Sequence, residues 1–252
     1  MESEYRASAV SALAERAHEP AGDAYARAAW DRLAEPRPGQ SPFDPDEKGW
    51  VGRGLQSLVC SAVCYRVAGR DDRAAHRARE GAALAADFEN ALTEPVQRAC
   101  LREVAADCHV AGGLDGASEA YDAAETAYTE AGPAVDSPQA VATTPLFQAA
   151  LAPIQQVARG SADGEIAVAW EDLHGSDPAD AGAFLAHRAR FKRRRFPSLL
   201  ARAVDDGHLA APRGTTEYDN ANFSCPDCGS TDVNWVADST LCLRCSTPTV
   251  ER

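Results

Sequence analysis

Several features that would point directly to a function are scarce in this chain of 252 residues or missing from it. Lysine occurs only at Lys48 and Lys192, so arginine supplies nearly all of the positive charge. No apolar run approaches the roughly 20 residues that a membrane-spanning helix needs. The acidic start, Met1–Glu4, is unlike a secretory signal peptide. We therefore expect a cytoplasmic protein without a membrane segment.

The motifs of several common enzyme classes are also missing. The sequence has no glycine-rich phosphate loop, no Gly-x-Ser-x-Gly nucleophile elbow and no His-Glu-x-x-His zinc-protease helix. His76, His109 and His208 stand isolated in the sequence, which favours surface or core positions over a catalytic base. These absences predict a protein that is not an enzyme.

Acidic residues dominate the charge that is present. The chain has 38 Asp and Glu against 25 Lys and Arg, a net charge of −13. This acidic, alanine-rich and lysine-poor composition resembles that of salt-adapted, haloarchaeal-type cytoplasmic proteins, in which carboxylates keep the surface hydrated. An acidic protein from an arginine-favouring genome would have the same composition. Either origin argues against nonspecific nucleic-acid binding by the whole surface.

Four cysteines near the C-terminus give the sharpest chemical signal. They form two Cys-x-x-Cys knuckles separated by thirteen residues, an arrangement that can place four thiolates at the corners of a tetrahedron. Gly229, directly after the first knuckle, suits the positive φ that such a turn needs. We predict one structural Zn²⁺ ion bound by Cys225, Cys228, Cys242 and Cys245.

Residues 221–250 thereby resemble a zinc ribbon, and we assign the domain to residues 222–252. The resemblance implies a small β structure. Its four protein ligands would complete the coordination sphere of the metal and leave no position open for a substrate. Iron in a rubredoxin-like site is the alternative, because a tetrahedral set of four sulfurs also suits iron. The second knuckle departs from the ribbon pattern, since Ser246 stands where a glycine is usual.

The other four cysteines lie among apolar residues. Cys60 and Cys64 are one helical turn apart, and Cys100 and Cys108 lie two turns plus one residue apart. A second metal site would need His76 or His109 to converge on them, and the spacing does not require this. We predict that these cysteines pack in the core as small hydrophobic side chains.

A turn motif repeats along the first two thirds of the chain. In each copy, a glycine that can end a helix in the left-handed region precedes an aspartate that can cap the next helix. The glycines are 47, 43 and 48 residues apart, a period that suits stacked helical hairpins. The four turns are Gly22-Asp23, Gly69 with Asp71, Gly112 with Asp115, and Gly160 with Asp163.

Small residues and aromatics flank the second and third turns at matching offsets. They include Ala62, Tyr65, Ala74, Ala105, Cys108, Ala117, Tyr121 and Ala124. Over residues 55–130 this pattern resembles the tetratricopeptide repeat, although the period exceeds that family's 34 residues. The resemblance implies a concave groove that binds a peptide or a helix of a protein partner.

The predicted fold is mainly α, an α-solenoid-like array of helical hairpins followed by a small β zinc ribbon. The array spans residues 1–206 and residues 207–221 form a linker. A loop is expected at residues 36–42. We predict helices near residues 3–19, 23–35, 47–68, 71–91, 94–111, 115–131, 145–159, 163–173 and 178–195, with a last one starting at Pro197 and ending near Asp206.

A basic run interrupts the acidic chain. Six cations occur within eight residues, next to the predicted ribbon: Arg188, Arg190, Lys192, Arg193, Arg194 and Arg195. One interpretation is a nucleic-acid-binding patch in which Phe191 and Phe196 stack on bases. The other is a helix that pairs with the acidic array and buries both Phe side chains.

Two Glu-x-x-His pairs, Glu15 with His18 and Glu171 with His174, suggest a further alternative. Such pairs hold a di-iron centre in ferritin-like bundles, and a rubrerythrin-like protein would also carry a C-terminal four-cysteine site. Against this, both pairs lie at predicted helix ends and in the outermost hairpins, without matching inward glutamates.

The function that these patterns favour is a non-enzymatic adaptor. Its helical repeats would bind a protein partner, and the ribbon would be a second docking module. A nucleic-acid-associated factor of transcription or translation, using the ribbon and the basic run, is the alternative. A rubrerythrin-like di-iron oxidoreductase is the remote one. The oligomeric state is not predicted.

Overall fold

The computed structural model describes residues 4–34, 48–162 and 164–252. In these residues ten α-helices precede five short β-strands, which confirms the predicted mainly α fold with a small β region at the C-terminus. The helices are α1 (Glu4–Ala14), α2 (His18–Leu33), α3 (Gly49–Val67), α4 (Asp71–Ala91), α5 (Pro95–Gly112), α6 (Ala117–Ala131), α7 (Pro138–Ala142), α8 (Pro145–Arg159), α9 (Trp170–Leu173) and α10 (Ala181–Asp205). The strands are β1 (Thr215–Glu217), β2 (Phe223–Ser224), β3 (Val233–Val236), β4 (Ser239–Cys242) and β5 (Val250–Glu251).

Helices α1 to α6 pack side by side, each against the next along the chain. Small residues make this close packing possible. A Cβ atom on Gly81 of α4 would lie 2.7 Å from the Cys108 Sγ of α5, and one on Gly112 would lie 2.3 Å from the Ala78 Cβ. Glycine and alanine therefore allow the helices to approach closely at their interfaces, in addition to the high helix propensity of alanine.

The second and third predicted turns are present. Gly69 has a φ of 67° and follows α3, and α4 begins at Asp71 as predicted. Gly113, with a φ of 62°, ends α5. The residue before α6 is Gly116, also left-handed, rather than the expected cap Asp115.

The first predicted turn is wrong, because Gly22 and Asp23 lie inside α2. A Cβ atom on Gly22 would stand 2.8 Å from the Tyr65 Cε1, so the glycine gives the ring of α3 room against α2. The Tyr65 hydroxyl donates to the Asp23 carboxylate at 2.6 Å. The Gly-Asp pair thus marks a helix–helix contact and not a chain reversal.

The fourth turn is also different. Gly160 follows α8 with a φ of −60°, and the left-handed residue is Gly164. The helix predicted over residues 163–173 is reduced to the single turn α9. Asp163 and the predicted loop at residues 36–42 lie outside the described residues.

Helix α10 runs through the position where two helices were predicted. Pro197 lies inside it and does not start a new helix. The buried side chains of Phe196 and Leu200 flank the proline and hold both halves of α10 against the core. Tertiary packing therefore outweighs the local cost of a proline inside a helix.

The last long helices cover one face of the array. Helix α8 packs against α3 and α5, and α10 packs against α5, α6 and α8. Tyr65, Tyr121 and Tyr128, which include the aromatics of the repeat pattern, are buried between helices. The face shared by α3 and α5 is therefore covered by the chain's own helices and does not offer the open groove that the repeat resemblance implied for one face of the array.

The C-terminal region contains two small antiparallel sheets. Strands β1, β3 and β4 form one in the order β1–β3–β4, and β2 pairs with β5. The segment predicted as a linker is part of this folded unit, since it contributes β1 and buries Leu209 and Ala211. Across the described ranges, no helix combines the length and apolar character needed to cross a membrane.

Candidate metal centre

The four predicted ligands converge at one point. The thiol sulfurs of Cys225, Cys228, Cys242 and Cys245 all lie within 4.8 Å of one another. The closest pairs are Cys225–Cys245 at 3.5 Å and Cys228–Cys242 at 3.6 Å, with Cys228–Cys245 at 3.8 Å. A tetrahedral site with Zn–S bonds of about 2.3 Å separates its sulfurs by about 3.8 Å. The thiols are free rather than joined in disulfides, and their spacing fits a metal ion.

Each knuckle is a tight turn closed by backbone hydrogen bonds. The Gly229 N–H donates to the Cys225 carbonyl at 3.0 Å, and the Ser246 N–H donates to the Cys242 carbonyl at the same distance. Gly229 has a φ of 74°, as predicted for the residue after the first knuckle. Ser246 has a φ of 61°, so the serine adopts the left-handed conformation that glycine usually supplies.

Ser246 has a second role that explains its presence. Its side chain is buried, and its Oγ accepts a hydrogen bond from the Ala211 N–H at 3.1 Å. A glycine there would leave this buried donor without its acceptor. The departure from the usual knuckle pattern therefore attaches the metal site to the segment that follows α10.

Arg159, the last residue of α8, reinforces the same attachment. Its Nη1 donates to the Ala211 carbonyl, and its Nη2 donates to the Leu243 carbonyl in the second knuckle at 3.2 Å. The backbone of Gly164 packs on this knuckle so closely that a Cβ would lie 1.6 Å from the Leu243 oxygen. The second knuckle is thus fixed directly to the helical array.

Polar contacts also tie the two knuckles to each other. The Thr247 hydroxyl donates to the Asp227 carboxylate at 2.8 Å. Arg244 pairs with Asp232 at 2.7 Å, and the Leu243 N–H donates to the Asp232 carbonyl at 2.9 Å. The thiols are therefore held in place by the surrounding chain, and four protein ligands would leave no position open for substrate.

Comparisons of the chain with protein-family models, with curated proteins and with solved structures found no match.

The basic run divides into buried and exposed parts. Arg188 and Lys192 are both fully buried on α10, and they contact Glu103 and Asp107 of α5. Neither cation can reach a nucleic acid from this position, so the predicted patch is wrong for these two residues. Phe196 is also buried, as the alternative interpretation required.

These buried charges form one compact ionic cluster, which consists of Glu103, Asp107, Arg188 and Lys192. The Glu103 carboxylate lies 2.6 Å from both the Arg188 Nε and the Lys192 Nζ. Lys192 also contacts Asp107 at 2.6 Å. The cluster thereby contains two positive and two negative groups.

Two tyrosines complete the cluster. The Tyr128 hydroxyl donates to Glu103 at 2.6 Å, and the Tyr121 hydroxyl donates to Asp107 at 2.5 Å. Burial would raise the pKa of Glu103, but Arg188 and Lys192 outweigh it and lower that pKa to about 2. Burial raises the pKa of Asp107 to about 6 despite the opposing effect of Lys192. The cluster lies between packed helices, which indicates a structural role.

The remaining cations of the run lie on the surface or near it. Arg190 contacts Glu125 at 3.3 Å, and Arg193 contacts Asp122, both acidic residues being on α6. Arg194 and Arg195 are exposed. The run therefore joins α10 to the acidic array over most of its length.

The two Glu-x-x-His pairs do not form a metal site. His18 starts α2 and accepts the Leu209 N–H at its Nε2 at 3.3 Å. His174 stacks between Trp170 and Phe184, with ring centroids 3.9 and 5.1 Å apart. In the described part of the chain, the four thiols are the one group of three or more potential ligands that converge.

The other four cysteines are buried, as expected for core packing. Burial raises the pKa of the Cys60 thiol to about 12 and that of Cys100 to about 12, so both stay protonated and unreactive at neutral pH. Cys60 contacts the Gln156 Oε1 at 3.5 Å.

Proposed function

We propose that this protein is a non-enzymatic adaptor that binds a protein partner, with a structural zinc ribbon as a docking module. The closed four-thiolate geometry supports a metal that stabilises structure rather than one that activates a substrate. A ribbon of this size has little core of its own, so the metal would supply much of its folding free energy.

Zinc is the metal we propose. A cytoplasmic protein with four free thiols at zinc-like spacing would bind zinc without redox chemistry. Iron would give the same sulfur geometry but a coloured protein. Elemental analysis of the purified chain should find one zinc ion per molecule and a colourless solution. An intense visible absorption band with bound iron would contradict the assignment.

The observation that carries the adaptor proposal is an aromatic surface on the ribbon. Trp235 on β3 is 36% exposed and packs edge-to-face on Phe223, with ring centroids 5.5 Å apart. Tyr218 and Val250 of the same region are also exposed, to 50% and 49%. Exposed aromatic side chains on a rigid support are enriched in protein interfaces.

The helical array supports partner binding less directly. Its α3–α5 face is covered by α8 and α10, and the aromatics of the repeat pattern are buried. The array would then serve mainly to hold the ribbon in a fixed orientation, through Arg159 and Ser246. Trp30 on α2 and Tyr5 on α1 are exposed aromatics of the array, to 40% and 41%, that an array-based docking site would use in its place.

Affinity purification of the full chain from its own cell at native salt, with and without nuclease, tests the proposal. A discrete protein partner that survives nuclease is expected. Trp235→Ala should remove this partner, whereas Trp30→Ala, which truncates a tryptophan of similar exposure on the array, should retain it. Loss of the partner with Trp30→Ala but not with Trp235→Ala would assign the docking site to the array.

A nucleic-acid role is the competing outcome of the same experiment. Partners that disappear with nuclease, together with weaker retention after replacement of Arg194 and Arg195, would overturn the adaptor proposal. The burial of Arg188 and Lys192 reduces the cations that such a role can use.

A further inference from the structure

A cavity of about 250 Å³ lies at the junction between the helical array and the ribbon. Its walls come from α1, α3, α8, the loop before α9 and the segment that follows α10. Three arginines line it: Arg6, Arg159 and Arg213. Glu165 is the one carboxylate among its described lining residues. Over its described residues, the lining is thus net positive in a chain whose overall charge is −13.

Arg159 is the central residue of this cavity. It is 3% exposed, and two of its nitrogens donate to the backbone carbonyls of Ala211 and Leu243. Its Nε has no hydrogen-bond partner among the described residues. Burial, and then the nearby Arg213, lower the pKa of Arg159 to about 10.

The contrast with Arg188 shows what Arg159 lacks. Arg188 is also buried, and the Glu103 carboxylate balances its charge at 2.6 Å. No carboxylate of the described residues lies within ion-pairing distance of Arg159. A buried cation without a counter-ion is costly unless a bound anion supplies the balancing charge.

The other polar groups leave the cavity suited to an anion. Arg213 donates to the Gly164 carbonyl at 2.8 Å and to the Tyr218 hydroxyl at 3.2 Å, so its guanidinium is held in place. Glu165 accepts a hydrogen bond from the same Tyr218 hydroxyl at 3.0 Å. Gln56 and Gln155 add amide groups to the wall.

We propose that this cavity binds a small molecule carrying an oxyanion, either a carboxylate or a phosphate, whose charge is balanced by Arg159 and Arg213. Apolar side chains of Ala152, Val168 and Pro212 line the same space and would contact the carbon part of the ligand. Because the cavity is formed by the array and the segment leading into the ribbon, the bound anion would hold the two together.

Calorimetric titration of the metal-loaded full chain tests this proposal at constant ionic strength. Inorganic phosphate and succinate serve as separate probes, which distinguishes a phosphate from a carboxylate ligand. We expect at least one of them to bind saturably, with one site per chain. Absence of saturable binding by both probes would overturn the proposal.

Gln155→Glu is the informative variant, because it places a carboxylate on the cavity wall with almost no change in shape. The residue is exposed and lies four positions before Arg159, a spacing at which Glu and Arg pair on a helix. The variant should fold and should weaken anion binding about tenfold or more, through repulsion and occupation of the site.

The matched control is Gln139→Glu, which adds the same charge at an exposed position of α7 that does not line the cavity. It should bind the anion as tightly as the unmodified chain. Arg213→Gln provides an independent variant and should also weaken binding. Equal affinities in Gln155→Glu and Gln139→Glu would assign the binding to another part of the protein and refute the proposal.

Discussion

Removal of one charge from the ionic cluster should destabilise the protein strongly. Glu103→Gln keeps the size of the side chain but removes its negative charge, leaving Asp107 to balance both Arg188 and Lys192. All four groups are at most 1% exposed, so solvent cannot compensate. The variant therefore leaves an unbalanced positive charge in the core.

The magnitude follows from two independent considerations. Breaking a buried ion pair from one side typically costs about 3–5 kcal/mol. The pKa of Glu103, lowered to about 2 from an ordinary value of 4.5, corresponds to about 3 kcal/mol of native-state stabilisation. For a chain of this size, about 3 kcal/mol lowers the melting temperature by roughly 6–12 °C.

Urea and thermal unfolding, followed by circular dichroism, measure the effect. Glu89→Gln is the matched control, since Glu89 contacts Arg102 at 2.7 Å on the partly exposed surface and should contribute at most about 1 kcal/mol. If both variants lose the same stability, the burial argument is refuted.

The pH dependence gives a second test with a definite sign. Because its folded pKa is depressed, Glu103 contributes stability that is fully present above pH 4.5 and is lost as the pH falls toward 2. The stability difference between the unmodified chain and Glu103→Gln should therefore shrink over this range. A constant difference would show that Glu103 does not titrate as the cluster requires.

Three further changes test other contacts. Cys242→Ser should remove a bound metal and abolish the ribbon sheet, measured as a loss of metal content and a change in tryptophan fluorescence, while retained metal would exclude Cys242 as a ligand. Ser246→Ala should lower stability by about 1–3 kcal/mol in urea unfolding, because the Ala211 N–H loses its acceptor, and an unchanged midpoint would contradict this role. Gly22→Ala should cost about 1–3 kcal/mol by the same assay through the overlap with Tyr65, and a neutral result would show that α2 can shift.

Local signals predicted much of the fold. Gly69 followed by Asp71 marked the α3–α4 reversal correctly, because a left-handed glycine and the start of a helix are local features. The same residue types at Gly22 and Asp23 led to a wrong prediction. There the glycine is required by the Tyr65 ring on another helix, a contact that the local pattern does not contain.

The metal centre could be predicted from local sequence, whereas the ionic cluster could not. The spacing of the cysteines predicted their convergence, since each knuckle is a local turn. The cluster joins α5 to α10, more than 80 residues apart, so nothing local revealed its pairing. One signal was available: Arg188 and Lys192 share a helix face with Leu185 and Phe196, which indicates burial when the phase of α10 is considered.

The C-terminal ribbon shares one buried core with the helical array. Val236 and Leu241 of the ribbon belong to the same buried cluster as the helices. Arg159 joins α8 to the second cysteine knuckle through the Leu243 carbonyl. Loss of the metal would therefore remove partners from a buried guanidinium and expose part of the common core, so its effect should extend into the helices. We expect a bound metal to stabilise the orientation of the exposed Trp235 surface relative to the array, which is the geometry that the proposed adaptor would need.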